Sequence, residues 1–360
     1  MMRNAFLLTV AMIVTGWSAY AQHPPLAPCD APTFVSSVKV LSAGFNPTAN
    51  PYVPPSGQAA PSAPTQQDLA NAFTNAPPLV RSHLCALNGI FINPSGSSSI
   101  FNNSWGFRSR NAQDRGNTYV AVSMGLWPAQ NSAIPLHQYE NLMLLNFALW
   151  PKGPSINSAA PDYSWLTVQA ALAHELGHVR WALTNIRQPG DPHNFNTLRN
   201  CSLGNGTAVN FFAAWNYLRD KQLESPGRWR HFGERTNGEN GEIDHRFPPY
   251  LSDLQGANPN QALYQLYRRD QPPANQPWPS LFGAQTPEEE FVETYVLYAL
   301  LGNKFDNPAY SGSYLASLPL TIPGYTDPGH PGQWADIPRD LLSGNKAILA
   351  QNMQCLKSLP

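Results

Sequence analysis

Two histidines four residues apart, with a glutamate directly after the first, have the types and spacing best suited to catalysis in this chain. They occur in the run His174-Glu175-Leu176-Gly177-His178. Residues four apart on an α-helix lie about 6 Å apart along the axis and about 40° apart around it, so both imidazoles can reach one metal ion. Imidazole nitrogens bind zinc at about 2.0–2.1 Å. Glu175 projects about 100° away from His174, where it can act on a metal-bound water but not as a further ligand.

The helix that carries this motif is predicted from Pro161 to about Leu183, and Pro161 suits a first helical turn. Apolar residues recur along it at helical spacing: Trp165, Val168, Leu172, Leu176, Val179 and Leu183. The alternative is a surface helix with two solvated histidines. The bulky neighbours of the motif favour a buried helix, in which unpaired histidines and a glutamate would be costly without a metal.

A catalytic zinc needs a third protein ligand and an open position for water. Thr184 stands where the extended metzincin motif has its third histidine, which excludes that class. The candidate ligand is Glu289. Glu293 lies one turn later on the same helical face, where it can hydrogen-bond a zinc-binding histidine and fix its tautomer. Glu290 is the main rival for the ligand position, followed by His245.

The acidic residues at the start of this second helix also have a simpler explanation. Negative charge in the first turn of a helix complements the helix dipole. That explanation accounts for Glu288 and Glu290, and it assigns Glu288 no role at the metal. It does not account for Glu293, which lies a turn deeper among apolar residues.

These two stretches resemble the gluzincin class of zinc metallopeptidases. The run Glu289-Glu290-Phe291-Val292-Glu293 is similar to the ligand helix of thermolysin-like enzymes and to a segment of the anthrax lethal factor catalytic domain. The resemblance implies one Zn²⁺ per chain, held by His174, His178 and Glu289. It also implies that Glu175 is the base and that Glu293 hydrogen-bonds a zinc-binding histidine. The candidates for stabilising the transition state come from residue type and not from the resemblance: His245 and Tyr295, and after them Tyr250 and His330, could donate a hydrogen bond to the oxyanion.

The activity implied by the resemblance is hydrolysis of peptide bonds by a zinc-activated water. Zinc lowers the pKa of a bound water to about 7, and Glu175 would move the proton to the leaving amine. Two alternatives remain open. One is a binding protein with a zincin fold and no proteolytic activity, and the other is a zinc amidase that acts on cell-wall material.

The predicted fold class is α+β and zincin-like, with a small mixed sheet packed on the motif helix and a largely helical C-terminal half. Residues 90–92 and Thr118–Ser123 are predicted as strands because they are apolar, β-branched or aromatic. The second strand is either the edge strand that pairs with a substrate backbone or an interior strand. Further helices are predicted from about residue 66, over 136–150, 208–221 and 288–301, and over 338–356.

The N-terminus has the features of a secretory signal peptide over residues 1–21. Arg3 precedes an apolar run, and Ala19-Tyr20-Ala21 has the pattern of a cleavage site. This predicts a secreted or periplasmic protein. Residues 22–65 are rich in proline and are predicted as an extended N-terminal arm, followed by a metallopeptidase domain over 66–360.

The charge of the chain limits the classes of partner it can bind, and its cysteine content predicts disulfides. The net charge is −1, from 22 Lys+Arg and 23 Asp+Glu, which lacks the basic excess of a nucleic-acid binder. We expect a peptide or protein substrate, no nucleic acid, no membrane attachment after signal cleavage, and a monomer.

Four cysteines in an exported chain predict two disulfides, with three possible pairings among Cys29, Cys85, Cys201 and Cys355.

Overall fold

A computed structural model describes the chain in sixteen stretches. They are residues 29–45, 52–94, 100–128, 131–146, 156–158, 163–184, 201–202, 208–209, 215–218, 228–231, 260, 283, 287–306, 320–326, 332–336 and 347–358. The predicted signal peptide lies outside these residues, as do His245, Tyr250 and His330.

A five-stranded mixed sheet forms the first half of the fold. Its strands are β1 (Val38–Leu41), β2 (Gly57–Ala59), β3 (Gly89–Asn93), β4 (Trp105–Arg108) and β5 (Thr118–Ser123). The spatial order is β2-β1-β3-β5-β4. The three central strands are parallel, and the two outer strands run antiparallel to their neighbours. Parallel strands are usually covered on both faces, which explains the almost continuous apolar runs in β3 and β5.

The strand predicted over Thr118–Ser123 is present as β5, but it is not the edge of the sheet. It lies between β3 and β4, and all six of its residues are buried. The interior alternative is therefore the one that the structure shows. Among the described strands, β2 and β4 form the two edges of this sheet; β4 is the edge next to β5, and its four residues are each half-buried.

Seven α-helices are described, and α5 lies at the centre of the packing. They are α1 (Ala31–Ser37), α2 (Ala63–Asn75), α3 (Pro78–Cys85), α4 (Leu136–Asn146), α5 (Ser164–Thr184), α6 (Pro287–Asp306) and α7 (Ala347–Ser358). Helix α5 packs against β4 and β5 on one side and against α2 and α6 on others. This arrangement confirms the predicted α+β class, with a small mixed sheet on the motif helix and helices in the C-terminal half.

The remaining described strands are short and pair antiparallel. One sheet joins β6 (Asn157–Ser158), β11 (Leu320–Thr326) and β12 (Trp334–Asp336). Two further pairs are β7 (Cys201–Ser202) with β8 (Ala208–Val209), and β9 (Trp215–Leu218) with β10 (Arg228–His231). The helix predicted over 208–221 is wrong, because β8 and β9 fall within it. The aromatic residues of β9 suit a strand, and cross-strand pairing with β10 outweighs the helical pattern.

Part of the predicted N-terminal arm belongs to the folded core. Helix α1 and strands β1 and β2 all lie within residues 22–65, and Phe34 and Val38 are fully buried. Asp30 caps α1 by accepting a hydrogen bond from the Thr33 amide, and Pro32 lies in its first turn, where proline is tolerated. The high proline content of the arm therefore did not prevent this segment from joining the sheet.

Two disulfides hold distant parts of the chain together. Cys29 bonds to Cys85 and so ties the start of α1 to the end of α3, while Cys201 bonds to Cys355 and ties β7 to α7. The predicted number of disulfides is confirmed, and the pairing that the sequence left open is decided. Within the described part of the chain, no helix is long and apolar enough to cross a membrane.

Candidate metal centre

The motif helix α5 and the glutamate helix α6 approach each other closely at Gly177. A Cβ atom added to Gly177 would lie 3.1 Å from the Cα of Val292 and 3.2 Å from its side chain. The two backbones can come this close because residue 177 has no side chain. The contact brings the first two turns of α6 beside the histidines of α5.

Three side chains from these helices converge on one point. One ligand atom from each of His174, His178 and Glu289 lies within 4.8 Å of the others. The carboxylate of Glu289 is 4.0 Å from His174 Nε2 and 3.8 Å from His178 Nε2. Ligand atoms around a tetrahedral zinc lie about 3.4 Å apart, so small side-chain movements would suffice to hold an ion. Two histidines and one carboxylate, with an open fourth position, form a ligand set found in catalytic zinc sites.

The other ring nitrogen of each histidine is held by a carboxylate. His174 Nδ1 lies 2.7 Å from Glu293 Oε1, and His178 Nδ1 lies 2.9 Å from Glu288 Oε1. With a proton on Nδ1, each ring donates to its carboxylate and presents the Nε2 lone pair toward Glu289. The residues therefore fit a metal ion in donor type and in orientation.

The contact of Glu288 corrects the role that the sequence assigned to it. The expectation was a contribution to the helix dipole alone, whereas its carboxylate reaches the ring of His178. A residue in the first turn of α6 can serve both purposes, because α5 passes directly beside that end of the helix. The spacing within α6 contains no signal for this contact, which depends on how the two helices cross.

Glu290, the rival ligand, is placed differently. It is only 2% exposed and is not among the three residues that converge. Successive residues on a helix differ by about 100°, so Glu289 and Glu290 cannot both face the histidines. The structure brings Glu289 to the candidate metal position.

Glu175 is the predicted base, and it is buried beside both histidines at 6% exposure. Burial raises the pKa of its carboxyl, and the negative charges of Glu289 and Glu293 raise it further, while His174 and His178 lower it. A base with a raised pKa is better matched to moving protons near neutral pH.

The ligand residues also titrate away from their usual ranges in the metal-free protein. Burial lowers the pKa of His174, but the hydrogen bond to Glu293 and the charge of Glu175 outweigh it and raise the pKa to about 9. Burial likewise lowers the pKa of His178, and the hydrogen bond to Glu288 brings the net change upward. Burial raises the pKa of Glu289. A metal ion must therefore displace protons to bind here.

Tyr295, one candidate for stabilising the transition state, lies away from this centre. It is fully buried, and its hydroxyl is 2.7 Å from His83 Nδ1. It follows Glu293 by two residues, which places it about 200° around α6. The other candidate, His245, lies outside the described residues.

Tyr139 on α4 is a residue near the centre that sequence reasoning missed. Burial raises the pKa of its hydroxyl well above the usual value, and the charges of Glu175 and Glu293 raise it further. The hydroxyl is therefore protonated and lies within electrostatic reach of the centre. No pattern in the sequence connects α4 to the motif, because the two helices meet only through tertiary packing.

The edge strand β4 lies directly against the backbone of the candidate base. A Cβ added to Gly106 would overlap the carbonyl oxygen of Glu175, so any other residue at position 106 would force the strand away from α5. Glycine inside a strand often marks such a close approach. The edge of the five-stranded sheet therefore borders the candidate metal centre.

Comparison of the chain with protein-family models, with curated proteins and with solved structures finds no match in any of the three. What the protein does is therefore inferred from its own residues.

Proposed function

We propose that this protein is a zinc-dependent metalloendopeptidase. One observation carries the proposal: each histidine of the motif is held by its own carboxylate through Nδ1 while its Nε2 faces Glu289. Orienting partners of this kind are typical of metal-binding histidines. Glu175, from the same helix turn, adds a buried carboxylate with a raised pKa.

The residues of the chain have separate tasks in the proposed reaction. Zinc, when bound by His174, His178 and Glu289, polarises the scissile carbonyl and lowers the pKa of the attacking water. Glu175 accepts the proton of that water and delivers it to the leaving amine. Glu288 and Glu293 keep the two imidazoles in the tautomer that leaves Nε2 for the metal. The substrate backbone pairs with the edge strand β4, which borders Glu175.

We propose that the protein works outside the cytoplasm. The signal-peptide pattern of residues 1–21 and the two disulfides support a secreted or periplasmic location. Its partner would be a peptide or protein, with no role for nucleic acid or for a membrane after signal cleavage, and the protein would act as a monomer.

The two alternatives use the same metal ligands. A zincin-fold binding protein would hold the metal and bind peptides without cutting them. A zinc amidase would cut the amide bonds of cell-wall peptides and leave ordinary peptides intact. The binding protein would therefore form no products, and the amidase would release fragments from cell-wall material only.

The decisive experiment uses the mature protein, starting at Gln22, and its Glu175→Gln variant. Metal content would be measured by elemental analysis, and both proteins would be incubated with a peptide library and, separately, with purified peptidoglycan. We expect about one zinc per chain in both, cleavage of library peptides by the wild type, and a rate about 10²–10⁴-fold lower in the variant. Release of fragments from peptidoglycan alone would favour the amidase, and metal without cleavage of either would favour the binding protein.

A further inference from the structure

The edge strand β4 presents different side chains to its two faces. Side chains alternate along a strand, so Trp105 and Phe107 share one face while Gly106 and Arg108 share the other. Gly106 faces α5, because a Cβ there would meet the Glu175 backbone. Trp105 and Phe107 therefore face away from α5 and pack in the second hydrophobic cluster, on the other face of the sheet.

Trp105 and Phe107 form a continuous surface, here called the edge aromatic surface. Their ring centroids are 5.3 Å apart. The ring centroid of Phe45 lies 5.0 Å from that of Trp105, and the ring centroid of Tyr119 lies 5.5 Å from that of Phe107. Trp105 and Phe107 are half-buried rather than buried, so part of each residue remains accessible.

A peptide that adds to β4 would bring its side chains onto this surface in alternation. Cross-strand partners have Cβ atoms about 4.5–5.5 Å apart on the same face of a sheet. Peptide residues opposite Trp105 and Phe107 would therefore contact the edge aromatic surface. The residue between them, opposite Gly106, would point toward α5 and the metal centre.

We infer that Trp105 and Phe107 select extended peptides with large apolar or aromatic side chains at two positions separated by one residue. The inference rests on the proposed function, because it takes the substrate to be a peptide paired with β4. It adds a substrate class and the two residues that set it. Aromatic–aromatic and aromatic–aliphatic cross-strand pairs are the favourable contacts that such a surface offers.

The test compares two peptides of equal composition and different spacing. Fluorescein-labelled Gly-Ser-Phe-Ser-Phe-Ser-Gly places both phenylalanines on one face of a strand, whereas Gly-Ser-Phe-Phe-Ser-Ser-Gly places them on opposite faces. Binding to the zinc-loaded Glu175→Gln variant would be followed by fluorescence anisotropy. We expect the alternating peptide to bind about two- to fivefold more tightly, because it gains one further cross-strand aromatic contact. Equal affinities would overturn the inference.

Variants of the edge aromatic surface provide the matched controls, each made in the Glu175→Gln background. Trp105→Ala and Phe107→Ala should each bring the ratio of the two affinities toward one, while Trp105→Phe should keep most of it because an aromatic ring remains. Zinc content and melting temperature would be measured for each, so that loss of the fold is not mistaken for loss of selectivity. A ratio unchanged in the Trp105→Ala/Phe107→Ala double variant would also overturn the inference.

The outcomes separate this inference from the proposed function. If the wild type cuts peptides while the two labelled peptides bind equally, the selectivity is wrong and the peptidase activity stands. If the wild type cuts nothing while the alternating peptide binds more tightly and Trp105→Ala removes the difference, the peptide-binding edge stands and the peptidase activity is wrong.

Discussion

The two helices of the metal centre supply their residues in different ways. Helix α5 presents His174 and His178 from successive turns of one buried element, so their separation is set by helix geometry alone. Helix α6 presents three carboxylates from its first two turns. Glu293 and Glu288 each contact the Nδ1 of one histidine, and Glu289 lies 3.8–4.0 Å from the Nε2 atoms of both. Roles on α5 follow from local spacing, whereas roles on α6 follow from how the helices cross.

The carboxylates of α6 also differ in their surroundings. The Glu293 side chain is 4% exposed where it meets His174, and the Glu288 side chain is 43% exposed where it meets His178. A charge-assisted hydrogen bond is stronger when it is shielded from water. The two histidines are therefore held with unequal strength.

The largest effect is expected for the ligand carboxylate. Glu289→Gln should lose most of the metal, because it removes the only anionic ligand of the three while keeping the size of the side chain. Glu290→Gln is the matched control: Glu290 is the next residue along α6 and does not face the histidines, so this variant should retain the metal. Metal affinity would be measured by competition with a chromogenic chelator. Loss of metal in Glu290→Gln but not in Glu289→Gln would show that the ligand register is wrong by one residue.

A smaller loss of metal affinity is expected when either carboxylate that contacts a histidine Nδ1, Glu293 or Glu288, is removed. Removing such partners costs about 10–100-fold in metal affinity. Glu293→Ala should lie near the upper end of that range, and Glu288→Ala near the lower end, because the exposed pair is weakened by water and by salt. The same chelator assay at low and high ionic strength would measure both. A larger loss in Glu288→Ala than in Glu293→Ala would contradict the inequality.

The two glycines beside α5 should differ in stability. The Cβ of Gly106→Ala would overlap the backbone oxygen of Glu175, whereas the Cβ of Gly177→Ala would lie 3.1–3.3 Å from atoms of Val292. Overpacking costs typically about 1–3 kcal/mol and occasionally more, so Gly106→Ala should unfold at a lower denaturant concentration than Gly177→Ala. Gly177→Ala should lower metal affinity as well, because it separates the helices that carry the ligands. Chemical denaturation of metal-free and zinc-loaded protein would show both effects.

The smallest effect is a pH dependence that differs between the metal-free and the zinc-loaded protein. The pKa of His174 is raised to about 9 from its usual value of 6.5, and the pKa values of His178, Glu175 and Glu289 are also raised. Groups with raised pKa values bind more protons in the folded state, so they stabilise it at low pH. For His174 this contribution is complete below pH 6.5 and is lost as the pH rises through about 9.

Metal binding requires these groups to be deprotonated, so metal affinity should rise with pH until about 9, where His174 loses its proton. Melting temperatures between pH 6 and 9.5, with a chelator and with zinc, would test both trends. The metal-free protein should become less stable across this range, and the gain in stability on adding zinc should increase. A zinc-induced gain that stays constant with pH would show that no proton is displaced.

Several parts of the fold followed directly from pattern. The motif helix was predicted from apolar spacing and lies within a few residues of its predicted bounds, because a long buried helix repeats the same signal over many turns. The predicted helix over 208–221 failed because short aromatic runs suit either element, and pairing decides between them. The sequence left the position of β5 open, as an edge or an interior strand, for a similar reason: a strand that is buried on both faces has the same apolar pattern in either place.

The amino-acid sequence alone specifies the local chemistry of α5: two histidines at metal-binding spacing with a carboxylate between them. It also indicates α6 as the partner helix, since Glu293 lies too deep in that helix for a surface role. Which carboxylate meets which histidine atom depends on the folded arrangement of the two helices. The contact of Glu288 with His178 and the approach of Gly106 to Glu175 join residues 110 and 69 positions apart. Such contacts depend on the crossing of elements, and no repeat within a single helix or strand encodes that crossing.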